Sequence, residues 1–207
     1  MPPPRLPYHP ELVASLRALF QTLASAALEP FLADWPPHDA GVRPVTAVTL
    51  PALQWLPLIQ AQAPPAAARV TQALVSGAPS LHWRQSYPAE RVGRLFLENY
   101  AWTELLGSSG EVPSSRLAGG FLVLGPHTSY PGHAHQAEEI YVPLSGTAHW
   151  WKASAGWQAV APVTVVHHAP NEAHAMRTAD QPLLALYLWH GPGLEGKAHL
   201  VGDPVRG

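Results

Sequence analysis

Residues able to do chemistry are concentrated in His133-Ala134-His135-Gln136-Ala137-Glu138-Glu139-Ile140-Tyr141. Two histidines stand two apart, a carboxylate follows four after the second, and a tyrosine two after that. Residues of one parity in extended chain tend to one face, so His133, His135, Glu139 and Tyr141 are expected to converge. Two imidazoles and a carboxylate at one spot suit a divalent metal. Seven of the 12 histidines fall between His127 and His174, the clearest compositional signal in the chain. The plainer alternatives are a hydrogen-bonded polar turn without metal, and for Tyr141 a strand aromatic packed in a core. Glu138 neighbours Glu139 but points to the other face. His127, His149, His167, His168 and His190 are expected to be structural or exposed.

The elements around this stretch divide in two. Leu12, Leu16, Leu19, Leu23 and Ala27 mark one face of a helix over 11–28, with Pro30 as its stop. Residues 30–50 read as a connector, 52–62 as a short helix interrupted at Pro57, and 66–76 as a helix with Gly77 at its C-terminus. Leu81 to Tyr87 is a short strand or a loop. Pro88 opens another helix in which Val92, Leu95, Phe96 and Tyr100 share a face, ended by Gly107. After Gly110 the pattern becomes short apolar, β-branched and aromatic runs at 121–124, 140–151, 157–168 and 182–189, separated by turn signals. These read as an antiparallel barrel or sandwich. The tail after Gly193 is expected to be irregular. Residues 1–110 are thus expected to form an N-terminal helical segment packed on a β-barrel, 111–207, that carries the metal site.

The 207 residues are enough to bury a core. A net charge of −2 gives no electrostatic reason to expect nucleic acid or an anionic membrane. Cysteine is absent, which excludes disulfides, thiolate ligands and a cysteine nucleophile. The first apolar stretch is broken by Arg17, Gln21 and Ser25 and does not resemble a signal peptide. No run is long enough to cross a bilayer, and a cytoplasmic location is expected.

His133-x-His135-x3-Glu139-x6-Gly146 resembles the first motif of the cupin superfamily, with His127 where a glycine usually stands. Pro170-Asn171-Glu172-Ala173-His174 resembles the second, with Glu172 in place of its glycine and the histidine one residue early. A closer resemblance extends from about Leu81 to Trp189. Gly125-Pro-His-Thr-Ser-Tyr130-Pro131, the histidine stretch, His174-Ala175-Met176 and Leu184 to Trp189 are similar to the cupin-type dimethylsulfoniopropionate (DMSP) lyases of marine bacteria, nearest to the DddQ-like group.

The resemblance implies a mainly β cupin fold, a double-stranded β-helix or jelly-roll barrel, preceded by several α-helices. It also implies β-elimination of DMSP to dimethyl sulfide and acrylate. Carried over by position, His135, Glu139 and His174 are ligands of one divalent metal ion, and His133 is a ligand or sits just behind one. Tyr141 sits at the metal as the base, Tyr130 positions the substrate, and Trp189 lines the pocket. Zinc, iron, manganese, cobalt and nickel all accept such a site. Aromatic faces suit the sulfonium, and Tyr130, Trp189, Tyr187, Trp150 and Trp151 are candidates. The expected partner is a small molecule, DMSP or a similar carboxylate, with the protein a monomer or homodimer. Two other readings remain: a metal-dependent cupin dioxygenase or isomerase on a small carboxylate, and a cupin that binds a small molecule without catalysis.

Overall fold

A computed structural model describes residues 9–37 and 39–202. Helix α1, Pro10–Thr22, has proline in its first turn, where a missing N–H costs nothing, and buries Leu12, Leu16, Leu19 and Phe20. Helix α2, Glu29–Ala33, starts where the sequence suggested a stop, because Pro30 occupies its first turn. Helices α3, Leu56–Gln62, and α4, Pro65–Gly77, follow, with Pro57 likewise at an N-terminus rather than a break. Gly77 keeps right-handed helical angles and leads into a 3₁₀ turn. Its missing Cβ has a packing reason, since one would meet the His9 ring at 2.6 Å. The pair α5, Ala89–Val92, and α6, Arg94–Glu98, is short.

The helical reading of 100–107 is corrected. Tyr100 follows Phe96 at helical spacing, but the helix ends at Asn99 and Tyr100–Gly107 is a strand. In chain order the strands are β1 (Trp83–Arg84), β2 (Tyr100–Gly107), β3 (Val112–Pro113), β4 (Leu117–Leu124), β5 (Ser129–Ala134) and β6 (Glu138–Ser145). They continue with β7 (Ala148–Lys152), β8 (Gly156–Val160), β9 (Val166–His168), β10 (His174–Thr178), β11 (Leu183–His190) and β12 (His199–Leu200).

They form two sheets. The larger runs β1-β2-β4-β11-β6-β9, with β3 alongside β2; the smaller runs β12-β5-β10-β7-β8. From β4 onward the chain passes back and forth between them, which is the jelly-roll arrangement expected from the sequence. At the β6–β7 turn Gly146 has φ +77°, and a Cβ there would lie 2.2 Å from the Pro182 carbonyl oxygen, so only glycine fits.

The larger sheet is covered on both faces, which explains why β4 is buried along its whole length. Leu117, Phe121 and Val123 face a core shared with the helices, whereas Leu122 and Leu124 face the barrel interior. Strand β11 alternates in the same way, with Leu184, Leu186 and Leu188 outward and Leu183, Ala185 and Tyr187 inward. The Ser145 hydroxyl donates to the Ile59 carbonyl at 2.8 Å, tying β6 to α3. The tail is more ordered than its sequence suggests. Strand β12 pairs with β5, and the Val201 N–H donates to the Gly132 carbonyl.

Candidate metal centre

Three of the singled-out residues meet at one point. The ligand atoms of His135, Glu139 and His174 lie within 4.8 Å of one another, and all three side chains are buried. One carboxylate oxygen, Glu139 Oε2, stands 2.9 Å from His135 Nε2 and 3.0 Å from His174 Nε2. The other oxygen accepts the Trp189 indole N–H at 2.6 Å. Trp189 also stacks on the His135 ring, centroid to centroid 4.2 Å.

The convergence does not arise as the parity rule suggested. His133 lies on β5, His135 just after it, and Glu139 and Tyr141 on β6, so the chain changes sheets between the histidines and the carboxylate. The residues meet because both sheets turn these positions inward. His174 comes from β10, whose backbone pairs it with His133.

Backbone carbonyls fix the imidazoles. Nδ1 of His133 donates to Pro131 O at 2.9 Å, His135 to Ala137 O at 2.9 Å, and His174 to Glu172 O at 2.8 Å. A carbonyl only accepts, so Nδ1 carries the proton in each ring and Nε2 of the neutral form has a bare lone pair. His174 Nε2 is buried without a hydrogen-bond partner. Two such lone pairs directed at one carboxylate oxygen need a positive charge between them, a proton or a metal ion. The donor set therefore fits a divalent cation.

Without a metal ion, burial and the neighbouring charges act on these groups in opposite directions. Burial would raise the Glu139 carboxyl, but His135 and His174 hold it well below the usual carboxylate range. Burial lowers His135, but the Glu139 charge and hydrogen bond raise it overall. Burial and the neighbouring His174 hold His133 well below the ordinary histidine value, so it stays neutral.

His133 stands outside the mutually close group. Its ring stacks on Tyr130 at 4.1 Å and meets His174 edge-on at 4.1 Å. The Tyr130 hydroxyl lies 3.3 Å from that of Tyr87 and 3.4 Å from that of Tyr100, forming a phenol cluster. Tyr141 is 4 % exposed, its ring 6.3 Å from His174 and 6.0 Å from Trp150. Burial first, and the Glu139 charge second, push its hydroxyl well above the ordinary tyrosine value.

A cavity of about 600 Å³ opens onto this group, with His133, Glu139, Tyr141, Tyr130, Tyr187 and Trp189 in its wall. Trp150 and Trp151 do not line it. Trp150 instead borders a separate space of about 370 Å³. Two features escaped the sequence. His168, read as structural or exposed, is fully buried and stacks on His174 at 4.0 Å. Burial and His174 push its pKa down to about 2, and neither ring nitrogen has a hydrogen-bond partner among the described residues, Glu172 Oε2 standing 3.8 Å from Nδ1. Its backbone pairs with Glu139 across β6 and β9, a neighbour relation no local pattern reveals. Residues Leu194 and Lys197 of the supposedly irregular tail also close the cavity.

Residues 37–185 match the family model for dimethylsulfoniopropionate lyase. The chain belongs to the DMSP lyase family. It is 32 % identical over 179 residues to dimethylsulfoniopropionate lyase DddQ of Ruegeria pomeroyi, covering 86 % of this chain and 88 % of that one. It is 33 % identical over 124 residues to the putative lyase DddL of Cereibacter sphaeroides, 59 % of this chain and 51 % of that one. The crystal structure of Ruegeria pomeroyi DddQ superposes with a TM-score of 0.79 at 32 % identity, covering 92 % of this chain and 96 % of that one. A chain from the crystal structures of the DMSP lyases RdDddP and RnDddQII gives 0.84 at 31 % identity with the same coverages. Enzymes of this name are carbon–sulfur lyases, and this family member is an enzyme of that class. No helix among the described residues is long and apolar enough to cross a membrane.

Proposed function

We propose that this lyase cleaves DMSP to dimethyl sulfide and acrylate at one divalent metal ion held by His135, Glu139 and His174, with Tyr141 as the base. The observation that carries the proposal is the Glu139 oxygen facing two imidazole Nε2 atoms, with Tyr141 in the wall of the same cavity. When bound, a divalent cation supplies positive charge that favours the phenolate of Tyr141 and draws electron density from a substrate carboxylate.

The Tyr141 phenolate oxygen takes the proton from Cα. The C–H electron pair becomes the Cα–Cβ double bond, and the Cβ–S pair leaves with sulfur as neutral dimethyl sulfide. No acid is needed for that leaving group. Glu139 is held ionised by its imidazole neighbours, and Trp189 fixes its second oxygen. His133, neutral and stacked on Tyr130, is assigned with Tyr130 to positioning the substrate. The sulfonium has no hydrogen-bond donor, so the faces of Tyr130, Tyr187 and Trp189 are its expected surroundings, each contact contributing about 0.5–2 kcal/mol.

Incubation with DMSP tests the proposal. Equal amounts of dimethyl sulfide in the headspace and acrylate in solution are expected, and both should vanish with a chelator and return with added metal. Undiminished turnover in metal-free protein would sink the metal-dependent mechanism.

A further inference from the structure

The cavity is much larger than a substrate of eight non-hydrogen atoms requires, since about 600 Å³ is a volume that drug-sized ligands fill. Its far wall is formed by β1 and β2. There Arg84 and Trp102 are direct cross-strand partners. The guanidinium carbon lies 5.6 Å from the centroid of the Trp102 ring. Both side chains are half-buried, and Arg84 Nε and Trp102 Nε1 are buried donors without an acceptor. Among the described residues the ion pairs of arginine and lysine are Arg116–Asp34 and Lys152–Glu172, so no carboxylate within 4.0 Å neutralises Arg84. Glu104 and Glu195 line the same cavity without pairing to Arg84, and Glu104 Oε1 is held by the backbone N–H groups of Ser109 and Gly110 at 2.7 and 3.0 Å. A guanidinium over an indole ring, in a cavity wall and with no carboxylate within 4.0 Å, suits a planar anion.

The sheet order places this pair away from the metal centre. From β6, which carries Glu139, the order runs through β11, β4 and β2 to β1. Two aromatic rings bridge that span: Trp102 meets Tyr187 edge-on at 6.4 Å between centroids, and Tyr187 meets Trp189, the partner of Glu139, at 6.4 Å.

We propose that Arg84, over Trp102, forms an outer carboxylate site in this cavity, on the far side of Tyr187 from the metal centre, that receives small carboxylates entering or leaving. The proposal rests on the lyase reading only for which carboxylates these are.

The test is a titration of the metal-loaded full chain followed by the indole N–H signals of its eight tryptophans, with Trp102→Phe assigning one of them. The probes are acrylate and the trimethylammonium analogue of DMSP, which carries the same carboxylate and a poor leaving group. A saturable shift of the Trp102 signal is expected, with acrylate alone if the site serves product and with both if it serves substrate too. The shift should persist in His135→Ala, and its affinity should fall about tenfold or more in Arg84→Met. If loss of dispersion among the other signals shows that Arg84→Met is unfolded, Arg84→Lys is used, which keeps the charge without the planar fork and should bind several-fold more weakly. A Trp102 signal that moves with neither probe, or equal affinity in the folded Arg84 variant, overturns the site. Absence of dimethyl sulfide release from DMSP overturns the lyase reading instead and leaves this titration unaffected.

Discussion

Tyr141→Phe removes one oxygen at the wall of the cavity and keeps the ring against Trp150 and His174. Packing is retained, so stability should change by no more than about 1 kcal/mol, and metal content should not change. Turnover should fall by at least about 10²–10⁴, the usual contribution of a general base, equivalent to roughly 3–5 kcal/mol of barrier. A free phenol of pKa about 10 is only about one part in a thousand phenolate at pH 7, and burial and Glu139 push Tyr141 higher still. Wild-type protein stripped of metal should therefore keep no more than about a thousandth of its activity at pH 7. That residue should rise about tenfold per pH unit, because the phenol is deprotonated only as pH climbs toward its raised pKa. The assay is headspace dimethyl sulfide from pH 6 to 10 for wild type and Tyr141→Phe, each with metal and with chelator. Near-normal turnover by Tyr141→Phe, or a pH-independent residual rate in stripped wild type, would refute the assignment of the base.

His135→Ala should lose metal and activity together, checked by metal analysis of the purified protein, and full occupancy would mean that the wrong ligand has been named. In metal-free protein His135 is raised by Glu139, so its contribution to stability is complete below about pH 6.5 and lost as pH rises through the folded value. Urea midpoints should therefore fall as pH rises above about 6.5 in metal-free wild type but much less in His135→Gln. Glu139 has the opposite sign: its lowered carboxyl contributes stability above about pH 4.5 that is lost as pH falls through the folded pKa, and Glu139→Gln should flatten the acid limb of the same curve. Gly146→Ala should destabilise by about 1–3 kcal/mol, since it adds a Cβ at φ +77° and 2.2 Å from a carbonyl oxygen; an unchanged urea midpoint would show that the turn relaxes freely.

The site was legible in the sequence as residue types, and less so as geometry. His135, Glu139 and His174 carry their chemistry in their names and spacing, and the strands of the second half are marked by β-branched and aromatic residues. The parity rule expected His135 and Glu139 to converge, and their ligand atoms do, but for an incomplete reason, because the rule applies within one strand and these residues occupy two sheets. Tyr100 misled because its distance from Phe96 fits a helix as well as the strand it begins. His168 and Arg84 could not be found locally. One owes its place to pairing across β6 and β9, the other to pairing across β1 and β2, and a histidine or arginine with no neighbour yet known reads as surface. The tail was missed because β12 is only two residues long and is defined by β5.

The passage of the chain from β5 to β6 between His133 and Glu139 also bears on the lifetime of the enzyme. Ligands on facing sheets come together only in the folded barrel, so under the proposed metal assignment every bound ion opposes unfolding. At a free concentration 100 times its Kd, the ion adds about 2.7 kcal/mol, a large share of the roughly 5–15 kcal/mol that holds an ordinary domain together. Scarcity of the metal would then do more than idle the enzyme. It would enlarge the unfolded fraction exposed to proteases, so that supply of the ion sets how many molecules persist as well as how fast each one turns over.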